Sequence, residues 1–479
     1  MRSTRVVTLV TLALLCVFTL TASVSVARML PSRLAAMKIP TAAPGTTRTV
    51  TSVLQAASSD TEVPTSAGLS GALQSALDGS VSAADAEIMV ANGSTGKVLY
   101  DDKGATEAAP ASTTKLLTAT AALAALGADA RFVTKVVSTG SGIVLVGGGD
   151  PDLAVNSYPS SDYPQPATLA DLARKTAAVL KKEGKTTIPL SYDTSLYSGA
   201  LYAPGWTSSD VTSGNVTPIV SLEVDQGRLT ASGAPEDSDD ATNFRARTTN
   251  PAGMAYQEFA QLLSDDGIKA SVADSSVTAP ASAATIASVS SPTVAQLVQQ
   301  MLTESNNVIA ENLGRHVAIA TGRPATFAGA AAGVEAELRH LGVTGGVKLY
   351  DTSGLSPNDG VAPAALIQTL YAAMTEAGLR SVTTGLPVAG FDGTLSPGES
   401  IFGAISGTAR GVVRAKTGNL DTVATLAGIV TTQDGHVLIF AIMTGGYPAG
   451  DLQSAANGID AAAESLARCG CRLRRGLSM

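Results

Sequence analysis

Serine and lysine three residues apart share one face of a helix, one turn from each other. Ser112-Thr113-Thr114-Lys115 has that spacing, and LLTATAALAAL follows it to Leu126, a strong helix former stopped by Gly127. A serine hydroxyl attacks poorly until a base takes its proton. A lysine can be that base when burial and a neighbouring cation lower its pKa. The pair therefore reads as nucleophile and base of an acyl-transfer enzyme. Composition yields about one Ser-x-x-Lys match in such a chain, and Ser94-Thr95-Gly96-Lys97 is a second. The second lies in a glycine-rich turn entering a strand, where nothing makes the two side chains converge.

Two further motifs carry polar groups suited to the same chemistry. Ser-x-Asn occurs as Ser213-Gly214-Asn215, Ser305-Asn306-Asn307 and Ser356-Pro357-Asn358. Only Ser305–Asn307 falls at a junction between two periodic helices, which can hold a polar pair rigidly beside a cleft. Taken alone, Ser305 would read as a helix N-cap. Lys416-Thr417-Gly418 ends a strand that enters a meander. There Lys416 would place a fixed positive charge near the Ser/Lys pair and a substrate carboxylate. Gly418 would let a substrate backbone approach the strand closely. The plain alternative is an ordinary exposed strand end.

These motifs need a scaffold, and the hydrophobic patterning supplies one. EIMVA (Glu87–Ala91) and KVLY (Lys97–Tyr100) read as a hairpin around Asn92-Gly93. Arg131–Ser138 and Ile143–Val146 read as strands. Helices are expected at Leu169–Glu183, Met254–Asp266, Val294–Leu302, Val308–Ala320 and Leu452–Ala467, with a late meander of Val412–Lys416, Val423–Val430 and His436–Met443. An early hairpin and a late meander imply one sheet built from both chain ends, with a unit inserted between them. The expected division is a catalytic domain of residues 71–160 plus 290–468, an inserted region at 161–289, a linker at 28–70 and a tail at 469–479.

Bulk properties exclude several classes. Net charge is -8, and no Lys/Arg cluster could track a nucleic-acid backbone. His316, His340 and His436 are the only histidines, and no HExxH or paired CxxC occurs, so no metal site is expected. Cys469 and Cys471 cannot staple a fold, and Cys16 lies in the N-terminal apolar run. Arg2 and Arg5 precede that run, Val6–Ala27, which reads as a signal peptide or a retained membrane anchor. Either reading places the rest of the chain outside the cytoplasmic membrane.

Taken in order and context, Ser112–Lys115, Ser305–Asn307 and Lys416–Gly418 resemble the three motifs of the penicillin-recognising serine enzymes, S-x-x-K, S-x-N and K-T-G. Ser112 and Ser305 are 193 positions apart, far more than in a class A β-lactamase. A large insertion after the nucleophile helix is similar to peptidase family S13, the D-Ala-D-Ala carboxypeptidase/endopeptidases of penicillin-binding protein 4 type. LVGGGDPDL (Leu145–Leu153), APGW (Ala203–Trp206), DTSGLS (Asp351–Ser356) and LPVAGFDGTL (Leu386–Leu395) also resemble that family. The resemblance implies an α/β (α+β) fold: an antiparallel sheet flanked by helices, a helical subdomain and a large inserted α/β region.

The resemblance also implies the roles. Ser112 would be nucleophile and Lys115 its base, with the backbone N–H groups of Ser112 and Asn419 as oxyanion hole. Ser305 would relay a proton to the departing amine, assisted electrostatically by Lys416. Asn307 would orient the peptide, and Thr417 with Gly418 would line the site for the terminal carboxylate. Peptidoglycan stem peptides and β-lactams would be the partners, with no cofactor and with membrane contact only through the N-terminus. Asn419 departs from the pattern, since Thr or Ser usually follows K-T-G. A β-lactamase-like hydrolase and a silent wall-binding scaffold are the competing readings; no dedicated deacylating Glu is identifiable, and the intact motif residues speak against the scaffold.

Overall fold

Apolar runs in the early hairpin and the late meander bring both ends of the chain into one sheet. The computed structural model describes residues 64–78, 86–159, 163–229, 245–272, 276–398, 401–405 and 407–468. In chain order its strands are β1 (Glu87–Asn92), β2 (Val98–Asp102), β3 (Val133–Ser138), β4 (Ile143–Val146), β5 (Thr187–Asp193), β6 (Lys269–Val272), β7 (Ala284–Ser290), β8 (Val347–Lys348), β9 (Gly360–Val361), β10 (Val413–Leu420), β11 (Val423–Thr431) and β12 (Val437–Gly445). The longer helices are α1 (Ser66–Leu77), α2 (Thr114–Leu126), α3 (Leu169–Lys182), α4 (Pro251–Asp265), α5 (Val294–Glu304), α6 (Asn307–Ala320), α7 (Phe327–His340), α8 (Pro363–Thr375) and α9 (Leu452–Arg468).

The first sheet has the order β10-β11-β12-β1-β2 and is antiparallel throughout. Its central strand β12 is apolar on both faces because both are covered. Leu438, Phe440 and Ile442 join α1 and α9 in one core. Ile439, Ala441 and Met443 join α2, α5, α6 and α8 in the other. Each such fully buried large side chain contributes about 2 kcal/mol. The sheet from two chain ends expected from the patterning is what the structure shows.

A second sheet, β6-β5-β4-β3-β7, is mixed: β4, β5 and β6 run parallel, while β3 pairs antiparallel with β4 and β7. Parallel neighbours need a crossover, and α3 supplies the one from β4 to β5. Thr168 caps α3 by accepting from Asp171 N at 3.1 Å, and Lys181 and Lys182 stand in its last turn, where they favour the helix dipole. Leu169, Leu172, Ala173, Ala177 and Leu180 bury its apolar face in a core shared with α4.

Two boundaries fall elsewhere than the patterning places them. β3 and β4, expected with the catalytic domain, pair into the second sheet, which therefore starts before residue 161. An apolar run marks a strand but does not name its partner. Residues 66–70, expected in the linker, form the first turns of α1, whose Leu69, Leu73 and Leu77 are buried. The Ser/Ala-rich composition there conceals the i, i+4, i+8 spacing of those leucines. The Val6–Ala27 run and both C-terminal cysteines lie outside the described residues. Among the described residues no helix is long and apolar enough to cross a membrane.

Candidate active site

The Ser112 turn is built by the chain folding back onto the sheet. Ala111–Thr113 form a single 3-10 turn that leads into α2, with Ala111 at φ 47°. The Pro110 carbonyl accepts from Thr113 Oγ1 at 2.6 Å and from Thr425 Oγ1 of β11 at 2.8 Å. Gly418 of β10 faces the same turn, where an added Cβ would come within 2.9 Å of both Pro110 O and Ser112 N. The close approach at Gly418 is thus made by the Ser112 turn itself. The space that the sequence leads one to expect for a substrate backbone is occupied there by Pro110 and Ser112.

Lys115 is fully buried in the first turn of α2. Its Nζ lies 2.9 Å from Ser112 Oγ, 2.6 Å from Asn307 Oδ1 and 2.8 Å from Ser353 O. Burial is the main cause that pulls its pKa down to about 7, against the attraction of Asp351 and Glu311. Neither carboxylate is free to hold that proton fully. Asp351 accepts from the main-chain N–H groups of Ser353, Gly354 and Ser356 and from Trp206 Nε1, at 2.7–2.9 Å. Burial, and then Asp351, push Glu311 up, and its oxygens accept from Thr352 N and Thr352 Oγ1.

The segment Asp351–Ser356 is therefore a buried brace for the lysine. Thr118 Oγ1 of α2 donates to Thr352 O at 2.6 Å, tying the brace to the nucleophile helix. Gly354, at φ 80°, leaves no room for a side chain: a Cβ would sit 1.8 Å from Ala111 O.

The Ser305–Asn307 corner joins α5 to α6. Ser305 is the left-handed C-cap of α5, with φ 61° and ψ 35°, and is half-buried. The N-cap expected of Ser305 in isolation belongs instead to Asn306, whose Oδ1 accepts from Ile309 N at 3.1 Å. Asn307 offers its Oδ1 to Lys115 and donates Nδ2 to Asn215 O at 2.9 Å.

Lys416 is fully buried on β10 and donates to Thr417 O at 3.0 Å. Burial and the nearby Lys115 charge hold its pKa well below the usual lysine range. Thr417 is buried, and its hydroxyl bonds Thr394 Oγ1 at 2.7 Å. Asn419 pairs with Ala424 and is exposed.

Ser112, Lys115 and Asn307 thus meet directly, and the Lys416–Gly418 strand lies against them. Ser94 and Lys97 are exposed in a turn closed by Asn92 Oδ1, which accepts from Ser94 N and Thr95 N. Ser356 is buried and donates to Pro204 O at 2.7 Å. Sequence reasoning missed Ser353, Asp351, Glu311 and Thr394 as parts of the site. An Asp before Thr-Ser-Gly is a signal for a side chain that gathers backbone N–H groups in a turn.

A family model, the D-Ala-D-Ala carboxypeptidase 3 (S13) family, matches residues 69–242 and 228–468 of this chain. The chain is 35% identical over 423 residues to a carboxypeptidase of Mycobacterium tuberculosis, covering 85% of each. It is also 35% identical over 420 residues to the carboxypeptidase DacB of Mycolicibacterium smegmatis, again covering 85% of each. Among solved structures it is similar to penicillin-binding protein 4 (dacB) of Haemophilus influenzae. The TM-score is 0.67 at 26% identity, over 83% of this chain and 98% of that one. The same protein complexed with a β-lactam gives a TM-score of 0.63.

Proposed function

This chain belongs to the D-Ala-D-Ala carboxypeptidase S13 family and is a serine D,D-carboxypeptidase, and from that premise we propose which of its residues perform the reaction and on what substrates. The observation that carries the assignment is the three-way contact of Lys115 Nζ with Ser112 Oγ, Asn307 Oδ1 and Ser353 O. Asn307 Oδ1 and Ser353 O can only accept. A neutral amine has two N–H donors and one lone pair. Its two donors go to those acceptors, and its lone pair is left facing the Ser112 hydroxyl. A pKa near 7 keeps a large share of Lys115 in that form at neutral pH.

Ser112 Oγ attacks the carbonyl carbon between the two terminal D-alanines of a peptidoglycan stem peptide while its proton passes to Lys115. The backbone N–H groups of Ser112 and Asn419 stabilise the oxyanion. The C–N bond then breaks, and Ser305 relays a proton to the departing D-alanine amine, with Lys416 supporting the charge. Asn307 orients the peptide. Thr417 binds the terminal carboxylate once Thr394 donates to it, which frees the Thr417 hydrogen. The exposed Asn419 side chain offers an amide N–H where a hydroxyl is usual. Water hydrolyses the acyl-enzyme at the end.

A β-lactam enters by the same first step, and its ring-opened product blocks that water; the β-lactam complex of the Haemophilus influenzae protein supports this partner. Action on peptidoglycan supports a location outside the cytoplasmic membrane. Opening of D,D cross-links by the same Ser112 acyl-enzyme route is part of this proposal, since a cross-link presents the same kind of D-alanyl amide to the serine. The inserted region 161–289 is read as support for the site walls through Trp206 and Asn215.

The test is to incubate the protein with a fluorescent penicillin and with a D-Ala-D-Ala peptide. Long-lived labelling and D-alanine release, both lost in Ser112→Ala, are expected. Labelling that decays within seconds would favour a β-lactamase, and labelling that persists in Ser112→Ala would remove Ser112 from the role.

A further inference from the structure

The first Ser-x-Asn match in the chain, Ser213-Gly214-Asn215, has no hydroxyl or amide at the reacting centre, yet its main chain reaches the site. Asn215 O accepts from Asn307 Nδ2 at 2.9 Å, and Gly214 O accepts from Arg247 Nε at 2.8 Å. Arg247 Nη1 donates onward to Gln226 O at 2.7 Å, and Gln226 Oε1 accepts from Asn306 Nδ2 at 2.7 Å. Both side chains are buried, Gln226 completely. Gln226 lies in a left-handed turn with Asp225 and Gly227, at φ 48°, 54° and 69° in order. Such a conformation persists in non-glycine residues only where surrounding contacts hold it.

We propose that Gln226 and Arg247 are positioning residues: they clamp the Asn306–Asn307 corner so that the Asn307 oxygen, and not its NH2 group, faces Lys115. This rests on the roles given above to Lys115 and Asn307. A side-chain amide has similar shape at its two ends, and only its partners decide which way it points. A turned Asn307 would set N–H against the lysine and oxygen against the Asn215 carbonyl, two mismatches at once. Arg247 holds Gly214 O and Gln226 O together, so one guanidinium keeps both acceptors in register. Glu311 from α6, Asp351 and Lys416 from β10 also face Lys115 and are untouched by the clamp.

The experiment compares the full chain with Gln226→Met, Gln226→Glu, Arg247→Met and Ser112→Ala. It measures the limiting acylation rate by a fluorescent penicillin from pH 5 to 9, kcat and KM for D-alanine release, and Tm. Gln226→Met should lower the limiting acylation rate and kcat about 10-fold with KM nearly unchanged. The acid limb of its pH profile should move to lower pH, because protonated Lys115 has lost a well-placed acceptor. Gln226→Glu keeps an acceptor for Asn306 and should recover most of the rate; Arg247→Met should lose more than Gln226→Met.

A Gln226→Met protein with wild-type acylation rate and acid limb, changed only in Tm, overturns the clamp. Should Arg247→Met fail to fold, Gln226→Met decides alone, since the bonds of Arg247 go to main-chain oxygens that this variant keeps. Wild-type labelling that survives Ser112→Ala would instead overturn the catalytic assignment beneath the clamp, a result distinct from failure of the clamp itself.

Discussion

Lys115, the proposed base, shows how far its surroundings set what a lysine side chain can do. The ammonium form would satisfy all three neighbours, but burial disfavours it, and the two carboxylates that could rescue it are already engaged with Thr352 or with backbone donors. Base catalysis needs the neutral amine, so acylation should rise with pH and reach half its plateau near pH 7, the value to which Lys115 is pulled. Rapid-quench acylation between pH 5 and 9 checks this; a rate independent of pH across that range would count against Lys115 as base. Lys115→Met keeps the apolar stem while removing the base. It should reduce acylation by at least about 1000-fold while Tm stays within a few degrees, because the variant also removes a costly buried amine. Calorimetry beside the labelling assay separates the two effects.

At the scale of elements, the site is a place where four of them touch. The nucleophile turn before α2 lies against β10, the α5–α6 corner reaches Lys115 from another side, and the Asp351–Ser356 brace closes behind it. Gly418 sits where strand and turn are closest, with Thr425 Oγ1 at 2.3 Å from an added Cβ and Ser112 N at 2.9 Å. Gly418→Ala must therefore displace the turn or the strand. Displacement on the order of 1 Å at a reacting group costs about 100-fold, so acylation should fall by that factor while the protein still folds. Burst titration with the fluorescent penicillin measures it, and an unimpaired burst would show that the turn tolerates the methyl group. The meander strands and the helices α2 to α6 and α9 were legible from periodicity to within a few residues at either end, whereas α1, α7 and α8, where small alanines dilute the apolar stripe, were not. The contact between them was not, because Gly418 and Gly354 look alike in sequence to glycines that merely end a turn.

At the scale of the whole molecule, burial has left an unusual set of protonatable groups. Asp150 and Asp460 are pushed up to about 7 and Glu223 to about 8, all chiefly by burial, and Glu311 and Asp359 are raised as well. Groups raised on folding contribute stability that is fully present below their unfolded pKa and lost as pH rises through the folded one. His316, pulled down to about 4 by burial, acts oppositely: its contribution is present above pH 6.5 and lost as pH falls through 4. Lys115 and Lys416, both lowered chiefly by burial, likewise add stability as pH rises, Lys115 from about pH 7 upward, where Glu223 and Asp359 still act in the opposite sense. The carboxyls outnumber the histidine between pH 5 and 7, so Tm should fall by about 5 °C or more across that interval. A pH series of thermal melts checks this, and a Tm rising steadily from pH 5 to 8 would contradict it.

The sequence by itself determined the reaction class. Ser112 with Lys115 on a helix, the Ser305–Asn307 corner and Lys416–Gly418 at a strand end are local features, carried by spacing and by helix and strand periodicity. The same locality made it silent on what the tertiary structure decided. Ser353 O, Asp351, Glu311, Thr394 and Asn215 O reach the site from distant positions, and two of them act through backbone carbonyls that every residue type possesses. Sheet membership of β3 and β4 was undecidable for a related reason, since an apolar strand is compatible with either core. Packing alone assigns such partners, because burial energy depends on which surfaces meet, and a linear pattern records only that a surface must be covered.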